Sequence, residues 1–359
     1  MGGPRAGGGV TPRPLAPAAV ARRPTIRDVA RRAGVSLGTV SNALNRPDVV
    51  APETLARVRA AIETSGFVRS SAARQLRAGT SRTIGVLILD VANPFFTDMV
   101  RGVESTLVEQ GYMLVLCSTD DSVDKERRYL RMLEEHRVDG ILATPVERDI
   151  ASLTALRSRG LPVVLLDRRA PSRSLCSVTV DDARGGELAA GHLLALGHRK
   201  IAFVNGPGAI RQCADRLRGI RHALRLAGLE PKAALVEVGV RSLTAESGET
   251  AVGRLRAAAP DATAVICAND LLALGVLKGF ARAGVRVPED VSLVGYDDVA
   301  FSSMLSPPLT SIRQPTVALG ATAAALLLEE LSGGIHEHRQ VVFEPELAAR
   351  ASTAAPGGG

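Results

Sequence analysis

Residues 25–45 read TIRDVARRAGVSLGTVSNALN, and this stretch decides the fold of the amino-terminal part of the chain. Thr25 is a residue type that caps helices, and Asp28 follows it near the positive end of the first helix. Gly34 can adopt the positive φ that a sharp turn requires. Ser36 can then cap a second helix. The stretch therefore predicts two short helices joined by a tight turn.

The spacing of small and apolar residues fits two helices that cross closely. Ala30 leaves room for the crossing, Gly34 turns the chain and Val40 fills the angle between the helices. An ordinary helical hairpin has the same signature, so the pattern alone leaves both interpretations open. The outer face of the second helix carries short side chains that can approach base edges, namely Leu37, Gly38, Ser41 and Asn42.

Basic charge is concentrated around this stretch. Residues 1–83 contain 14 Arg, no Lys and four acidic residues, which gives a net charge of +10. Residues 84–359 contain 30 basic and 33 acidic residues, a net charge of −3. Because a basic domain attracts polyanions, this pattern predicts a nucleic-acid partner. An Arg-rich surface that served only solubility would not explain why the net charge of the rest of the chain has the opposite sign.

Other bulk properties limit the class of protein. The 359 residues suffice for two or three domains, and no apolar run reaches the roughly 18 residues of a membrane helix. Residues 1–23 lack an apolar core segment, so they indicate a disordered basic tail rather than a signal peptide. The four cysteines form no local Cys/His cluster, and we expect His336 and His338 to be satisfied or solvated rather than metal ligands. These features predict a cytoplasmic protein without metal or cofactor.

The pattern changes after residue 82. A third helix beginning at Pro52 completes the amino-terminal domain, and a polar segment that can form a short helix follows it. Apolar runs then alternate with amphipathic helices, which predicts parallel sheets covered by helices on both faces. A length of about 270 residues is large for one sheet, so we expect two similar subdomains. The predicted strands are 83–89, 113–117, 140–143, 163–166, 201–204, 236–238, 264–267 and 292–295.

Short polar residues follow many of the predicted strands. Ligands of parallel sheets bind beyond the carboxyl ends of strands, so these side chains predict a cleft for a small polyhydroxylated molecule such as a sugar. Arg216 can add a forked donor. Each residue alone could be a helix cap or turn former, but their number favours a site. The strand-end residues are Asp90, Asn93, Phe95, Phe96, Ser118, Thr119, Thr144, Asp167, Arg168, Asn205, Asn269, Asp270, Tyr296, Asp297 and Asp298.

Seven segments occur in an order that is typical of one family. They are DVARRAGVSLGTVSNALN, AARQLR, IGVLILDVANPFF, LGHRKIAFVNGP, RLRGIRHAL, ANDLLALGVL and VSLVGYDDVAFSSMLSPPLTSIRQP. On these segments the chain resembles the LacI/GalR family of transcription regulators over residues 25–349. The resemblance implies an all-α helix-turn-helix headpiece, a hinge helix, and an α/β core like periplasmic sugar-binding proteins. That core would contain two doubly wound parallel-sheet subdomains.

The resemblance also implies domain boundaries. In such proteins the chain crosses between the two core subdomains three times, so the N-subdomain would comprise 82–182 and 313–343 and the C-subdomain 183–312. The complete predicted order is a disordered basic tail at 1–23, the helix-turn-helix domain at 24–67, the hinge helix and linker at 68–81, the effector-binding and dimerisation core at 82–350, and a disordered tail at 351–359.

For DNA, the resemblance implies a homodimer that reads a palindromic operator with one recognition helix per half-site. Leu37, Gly38 and Asn42 occupy the base-reading positions of the family. The side chains of Leu37 and Gly38 cannot hydrogen-bond to bases. Direct readout should therefore rest on Thr39, Ser41 and Asn42, with an apolar contact from Leu37 to a thymine methyl group.

The segment AARQLR resembles the hinge helix of the family. Leu76 matches the leucine that parts a base step in the minor groove, and Ala73 and Arg77 would lie in or beside that groove. The full set of expected DNA-contacting residues is Thr25, Ser36, Leu37, Gly38, Thr39, Ser41, Asn42, Arg46, Ala73, Leu76 and Arg77.

For the effector, the resemblance points to the strand-end cleft. Leu243 stands where some members place an aromatic residue that stacks on the ligand, so Phe95, Phe96 or Phe301 would have to supply a stacking face. A sugar is the expected effector, and a nucleoside or another small polar metabolite is the alternative. The expected effector-binding residues are Asn93, Phe95, Phe96, Ser118, Asp167, Arg216, Asn269, Asp297 and Gln314.

The predicted function is that of an allosteric repressor controlled by a small effector. A sugar-binding protein without a DNA role is the first alternative, which the basic headpiece argues against. An α/β enzyme is the second, but no dinucleotide, P-loop or nucleophile-elbow motif appears. The carboxyl-terminal segment has no leucine heptad that could join dimers into tetramers, so we expect a dimer.

Overall fold

A computed structural model of the chain describes residue 22 and residues 24–68, 80–146, 149–208, 210–334 and 336–357. The chain divides into two units, residues 1–79 and residues 80–359. The described residues of the first unit form three helices, α1 (Ile26–Ala33), α2 (Leu37–Asn45) and α3 (Pro52–Ser65), with a 3₁₀ turn at Pro47–Val49. Six small or branched apolar side chains form its core, namely Val29, Ala30, Ala33, Val40, Val58 and Ala61.

Local hydrogen bonds set the boundaries of the first two helices. The backbone N–H and hydroxyl of Thr25 both donate to Asp28 Oδ2, at 2.8 and 2.7 Å. These bonds hold the pKa of Asp28 below its usual value. Gly34 ends α1 with a φ of 63°, and Ser36 Oγ accepts from the Thr39 N–H at 3.0 Å to begin α2. The predicted helix-turn-helix is confirmed.

The second unit alternates strands and helices. Its strands are β1 (Thr83–Ile88), β2 (Met113–Ser118), β3 (Gly140–Ala143), β4 (Val163–Leu166), β5 (Cys176–Val180), β6 (Ile201–Asn205), β7 (Leu235–Gly239), β8 (Ala264–Cys267), β9 (Ser292–Asp297), β10 (Thr310–Arg313), β11 (Gln340–Phe343) and β12 (Glu346–Ala348). Its helices are α4 (Pro94–Glu109), α5 (Val123–Glu135), α6 (Ala151–Ser158), α7 (Asp182–Ala195), α8 (Arg211–Leu226), α9 (Pro231–Ala234), α10 (Ala245–Ala258), α11 (Asp270–Arg282) and α12 (Thr316–Leu331).

Two six-stranded sheets form the two subdomains. The first has the order β11-β5-β4-β3-β1-β2, and the second has the order β12-β10-β9-β8-β6-β7. All paired strands run parallel except β10 and β12. Helices cover both faces, which is why the central strands are buried apolar runs. The predicted pair of doubly wound parallel-sheet subdomains is confirmed.

The chain passes between the sheets three times. It leaves the first sheet after β5, returns from β10 through α12 to β11, and then crosses again to β12. Helix α12 packs on α4 and on strands of the first sheet, with Leu319, Ala323 and Leu327 buried there. The sequence pattern alone did not reveal β5, β10, α12 or the last two strands.

The expectation of a disordered tail at 351–359 is wrong for residues 351–357. Ser352 is buried, its hydroxyl donates to the Leu293 carbonyl at 2.6 Å, and it accepts from the Thr310 N–H at 2.8 Å. The Ala354 carbonyl lies 2.9 Å from His198 Nε2. These bonds pair backbone groups of β9 and β10, so the segment is hydrogen-bonded to the second sheet.

Three helix pairs approach so closely that glycines are required where they cross. A Cβ atom at Gly186 of α7 would overlap the carbonyl of Arg216 in α8, and one at Gly219 would overlap the carbonyl of Ala183. Equivalent overlaps involve Gly102 and Gly320 in the α4–α12 pair and Gly248 and Gly275 in the α10–α11 pair. Because backbone atoms cannot be moved cheaply, each crossing fixes the spacing of its two helices.

We predict that Gly186→Ala destabilises the chain by about 1–3 kcal/mol or more, because the added methyl group pushes α8 away from α7. Gly191→Ala is the matched control on the same helix, since a Cβ there meets nothing within 4 Å. The control should be neutral or stabilising by up to about 1 kcal/mol. Urea unfolding of both variants measures this, and equal stabilities would contradict the crossing argument.

Candidate functional site

The DNA-facing candidates lie on the outer side of α2. Leu37 is 44% exposed, although it is a large apolar residue. Gly38 and Asn42 are also exposed, and Thr39 and Ser41 are half-buried. Val40 points the opposite way and is fully buried between the helices. The second helix thus presents the same face that the sequence predicted.

The remaining predicted DNA-contacting residues have different placements. Thr25 and Ser36 are the residues that precede α1 and α2, where they organise the helix starts. Arg46 is exposed directly after α2. Ala73, Leu76 and Arg77 lie outside the described residues.

A cavity lies between the two subdomains of the core, at the carboxyl ends of their strands. It is the place that the strand-end rule predicts for a ligand. Seven of the nine predicted effector-binding residues line it. The lining comprises Leu89, Asp90, Asn93, Phe95, Phe96, Asp121, Asp167, Ile210, Gln212, Cys213, Arg216, Ser242, Leu243, Thr244, Asn269 and Asp297.

Arg216 is held rigidly at one wall of this cavity. Its Nε donates to Asp182 Oδ1 at 2.8 Å, and a terminal nitrogen donates to the Ala268 carbonyl. The guanidinium carbon lies 3.6 Å from the centre of the Tyr296 ring. The hydroxyl of Tyr296 donates to the same Asp182 oxygen at 3.2 Å. A buried cation is therefore fixed by an acid, a carbonyl and an aromatic face.

Asp167 connects the two subdomains. It follows β4 with a φ of 50°, which turns the chain at the cavity. Gln212 Nε2, on α8 of the other subdomain, donates to the Asp167 carbonyl at 2.6 Å and to its Oδ2 at 2.7 Å. Among the described residues, the buried Oδ1 of Asp167 has no hydrogen-bond partner. That oxygen is available to accept from a ligand.

Asp297 is a second buried carboxylate in the cavity. It ends β9 with a φ of 109°, and Asp298 follows with a φ of 54°, so the backbone turns here. Gln314 Nε2 donates to Asp297 Oδ1 at 2.7 Å. Asp298 instead forms an ion pair with Arg313 at 2.7 Å. Gln314 does not line the cavity itself, but it orients the carboxylate that does.

The two lining asparagines also cap helices. Asn93 Oδ1 accepts from the Phe95 N–H at 3.0 Å, and Asn269 Oδ1 accepts from the Leu272 N–H at 2.9 Å. The rings of Phe95 and Phe96 meet edge to face with centroids 5.1 Å apart. Each asparagine can therefore both cap its helix and line the cavity, because a helix cap at a strand-to-helix turn lies at the ligand-binding end of the sheet.

Ser118 is the second predicted residue, after Gln314, that does not line the cavity. Its hydroxyl donates to Asp120 Oδ1 at 2.7 Å and accepts from the Val91 N–H, and it does not line the cavity. Sequence reasoning missed Gln212 and Asp182. Gln212 lies one helical turn before Arg216 on the same face of α8, and this spacing was the available signal.

Burial dominates the electrostatics of the cavity. It raises the pKa of Asp167 to about 7, with the Asp182 carboxylate adding to the effect. Burial also raises the pKa values of Asp182 and Asp297, although the Arg216 guanidinium opposes both increases. The cavity thus contains more carboxylate than its one guanidinium neutralises, which favours ligands that donate hydrogen bonds.

His336 and His338 lie beside a buried cysteine, where both rings have polar partners. The side chain of His336 is only 9% exposed, and its Nε2 lies 3.1 Å from the sulfur of Cys176. His338 Nδ1 lies 3.6 Å from the same sulfur. The sequence did not reveal this cluster because its cysteine and histidines come from distant segments that only the sheet brings together.

Comparisons with known proteins agree with this architecture. Residues 25–70 match the bacterial regulatory proteins of the lacI family, and residues 190–353 match the periplasmic binding protein-like domain. The HTH-type transcriptional repressor PurR of Photobacterium profundum is 39% identical over 91% of this chain and 98% of its own length.

Two solved structures extend the comparison. The lac repressor dimer bound to operator and the anti-inducer ONPF has a TM-score of 0.81 and 29% identity, covering 93% of this chain and 100% of its own. The complex of the transcriptional regulator CelR with cellobiose has a TM-score of 0.69 and 34% identity, covering 92% and 100%.

A helix-turn-helix headpiece followed by a two-subdomain core with a central cavity defines an effector-regulated, DNA-binding transcriptional repressor, not an enzyme. The chain belongs to the lacI family of bacterial regulatory proteins. Within the ranges that the structure covers, no helix is both long and apolar enough to cross a membrane.

We predict that Asp167→Asn makes the unliganded chain more stable at neutral pH. Because the folded-state pKa of Asp167 is about 7 and its ordinary value is 3.8, the carboxyl group stabilises the fold fully only below pH about 4. That stability is lost as the pH rises through about 7, by up to about 4 kcal/mol. An asparagine cannot ionise and avoids this loss.

The measurement is urea unfolding of the native chain and the variant at a mildly acidic and a mildly alkaline pH. The advantage of the variant should grow with pH. Asp261→Asn, at an exposed carboxylate, controls for the removal of one charge. An advantage that is constant or shrinks with pH would show that Asp167 is not held protonated by burial.

Proposed function

We propose that this repressor is a homodimer whose effector is a sugar bound in the cavity between the core subdomains. The observation that carries the proposal is the convergence of three buried groups, Asp167, Arg216 and Asp297, on one cavity. Two carboxylates accept hydrogen bonds and a guanidinium donates them, which suits vicinal hydroxyl groups. Such a repressor would act on chromosomal DNA in the cytoplasm.

The cavity also offers apolar contacts that suit the face of a sugar ring. Phe95 and Phe96 are buried in its wall, and Leu243 lines the opposite subdomain. Aromatic rings can pack against the C–H face of a sugar while polar groups bind its hydroxyls. The similar regulator CelR was solved as a cellobiose complex. A nucleoside is the competing ligand, because the same phenylalanines could stack on a base.

For DNA, we infer that α2 enters the major groove. Its exposed face offers Leu37 for apolar contact with a thymine methyl group and Asn42 for hydrogen bonds to a base edge. Ser41 and Thr39 have hydroxyls that reach base or phosphate oxygens. The expected wedge at Leu76 would add bending at the centre of a palindrome.

Dimerisation is supported by an exposed apolar strand at the edge of the first sheet. In β2, Met113 is 61% exposed, and Val115 and Leu116 are each 37% exposed. An edge strand with uncovered apolar side chains favours association with another chain. The similar lac repressor structure is a dimer on its operator, and we propose the same assembly here.

The bridge between Gln212 and Asp167 gives the effector a route to conformational change. It joins α8 of one subdomain to the end of β4 in the other. A ligand that hydrogen-bonds to Asp167 would change this bridge and shift the equilibrium between subdomain arrangements. That shift would alter the spacing of the two headpieces in the dimer and hence the affinity for the operator.

Calorimetric titration with a panel of sugars and nucleosides tests the identity of the effector. We expect one sugar to bind, and Arg216→Lys to weaken it by about 100-fold or more, because Lys cannot reproduce a forked donor. Arg218→Lys on the same helix is the control, since that side chain is 63% exposed. Asp297→Asn provides a second variant if Arg216→Lys fails to fold.

Two results would contradict the proposal. A nucleoside that binds while every sugar fails would reject the sugar assignment and leave the repressor class untouched. Equal loss of affinity in Arg216→Lys and Arg218→Lys would show that the ligand does not use the cavity.

Effector and operator should bind with reciprocal coupling. An operator is first selected from a random duplex library, and effector affinity is then measured with and without it. We expect the two affinities to differ by roughly 5–150-fold, the usual range of allosteric coupling. Light scattering of the complex should give two chains per operator. Identical affinities would reject allosteric control, and one chain per operator would reject the dimer.

A further inference from the structure

A cluster of metal-ligating side chains lies outside the effector cavity. Cys176 begins β5, and His336 and His338 precede β11, which pairs with β5 in the first sheet. One ligand atom from each residue, the cysteine sulfur and two ring nitrogens, lies within 4.8 Å of the other two. The cluster is at the amino ends of these parallel strands, whereas the effector cavity is at the carboxyl ends.

The distances suit a tetrahedral metal. Zinc bonds of about 2.3 Å to sulfur and 2.0 Å to nitrogen place neighbouring ligand atoms about 3.5 Å apart. The Cys176 sulfur lies 3.1 Å from His336 Nε2 and 3.6 Å from His338 Nδ1. A thiolate with two imidazoles is a ligand set that favours zinc over calcium or magnesium. Three protein ligands would leave the fourth position to a water molecule.

The surroundings of His336 support ligation through Nε2. Its other nitrogen, Nδ1, lies 3.9 Å from a carboxylate oxygen of Glu329. At this distance the carboxylate forms no hydrogen bond to the ring, but its charge favours a proton on Nδ1, which leaves Nε2 free to bind a metal. Arg339 forms an ion pair with the same carboxylate, which keeps it in place. The Arg339 N–H also points at the Cys176 sulfur, 3.3 Å away, and can stabilise a thiolate.

Arg157 contacts His338, the third proposed ligand. Its NH2 lies 2.6 Å from His338 Nε2, and because a guanidinium only donates, that nitrogen must be the acceptor. His338 then carries its proton on Nδ1, facing the sulfur. A metal on Nδ1 requires the other tautomer, so Arg157 has to turn away. The guanidinium also pairs with Glu330 through its other terminal nitrogen and donates from Nε to the Ser174 carbonyl at 3.0 Å. A metal on Nδ1 therefore competes with an arginine that has two other contacts.

We propose that Cys176, His336 and His338 form a zinc-binding site that joins β5 to the loop between α12 and β11. Binding releases the thiol proton and replaces the contact between Arg157 and His338 with a metal bond. The site lies within the N-subdomain, on the segment by which the chain returns from the second sheet to the first. Zinc should therefore stabilise this return segment, and the proposal does not depend on the identity of the effector.

The test uses the full chain, treated with chelator and kept reduced, and a competitive titration with a chromophoric zinc indicator. We expect one equivalent of zinc to bind and to raise the melting temperature. Cys176→Ser and His336→Gln should each weaken binding by about 100-fold or more, because even indirect contacts to zinc ligands change affinity by 10–100-fold. Should Cys176→Ser fail to fold, the less buried His336→Gln carries the test.

His136→Gln is the matched control, since this histidine is exposed at the end of α5. It should bind zinc like the native chain. Cobalt(II) gives an independent readout, because a sulfur-to-metal charge-transfer band should appear and be absent from Cys176→Ser. The proposal is overturned if no zinc binds, if His336→Gln binds as tightly as the control, or if cobalt gives no sulfur band.

Arg157→Gln supplies a prediction that an accidental surface site would not share. Removing the guanidinium frees His338 Nε2 and takes a positive charge away from the metal. Zinc affinity should therefore rise several-fold in this variant. A fall in affinity would overturn the assignment of His338 Nδ1 as a ligand and with it the three-ligand site.

Discussion

The core depends on a single buried guanidinium. Of the buried residues in the described part of the chain, Arg216 is the one arginine or lysine, while Asp167, Asp182 and Asp297 are buried around it. Leaving such carboxylates without their cation would cost about 3–5 kcal/mol. The position of Arg216 depends in turn on the glycine crossing of α7 and α8, since Gly186 contacts its backbone. Close helix packing is therefore a condition for the electrostatics of the cavity.

This arrangement also supports the proposal that a ligand in the cavity changes the contact between the subdomains. Oδ1 of Asp167 is buried and has no hydrogen-bond partner among the described residues, and burial raises the pKa values of Asp167 and Asp297. A ligand with several hydroxyl groups would supply the missing donors. Gln212 reaches across from the other subdomain to donate to Asp167. A ligand that donates a hydrogen bond to Asp167 would therefore also change the contact between the subdomains. Binding energy and conformational change are thus linked at the same residue.

Local chemistry made much of this structure predictable from the sequence. The helix caps Thr25 and Ser36 and the polar residues at strand ends follow short-range rules. Five of those strand-end residues line the cavity, namely Asp90, Asn93, Asp167, Asn269 and Asp297. Strand β5 was missed because it reads CSVTV, in which buried hydroxyls interrupt the apolar run. Gln212 and the Cys176 cluster were missed for another reason. Their partners are 45 and about 160 residues away, and only the crossover topology brings them together.

The exposed face of α2, which we propose reads DNA, has few side chains that can hydrogen-bond to bases. Gly38 offers no side chain, Leu37 offers no hydrogen bond, and Asn42 offers one amide that can form a bidentate contact with adenine. A single good base pair contact is worth about 1–3 kcal/mol, which is small against the several kcal/mol that separate specific from non-specific binding. We infer that the missing discrimination must come from pairing two half-sites in a dimer and from DNA deformation at the centre. A signal that changes the relative position of the two chains in the dimer would then change which operator is bound, because contacts from one helix discriminate too weakly between sequences.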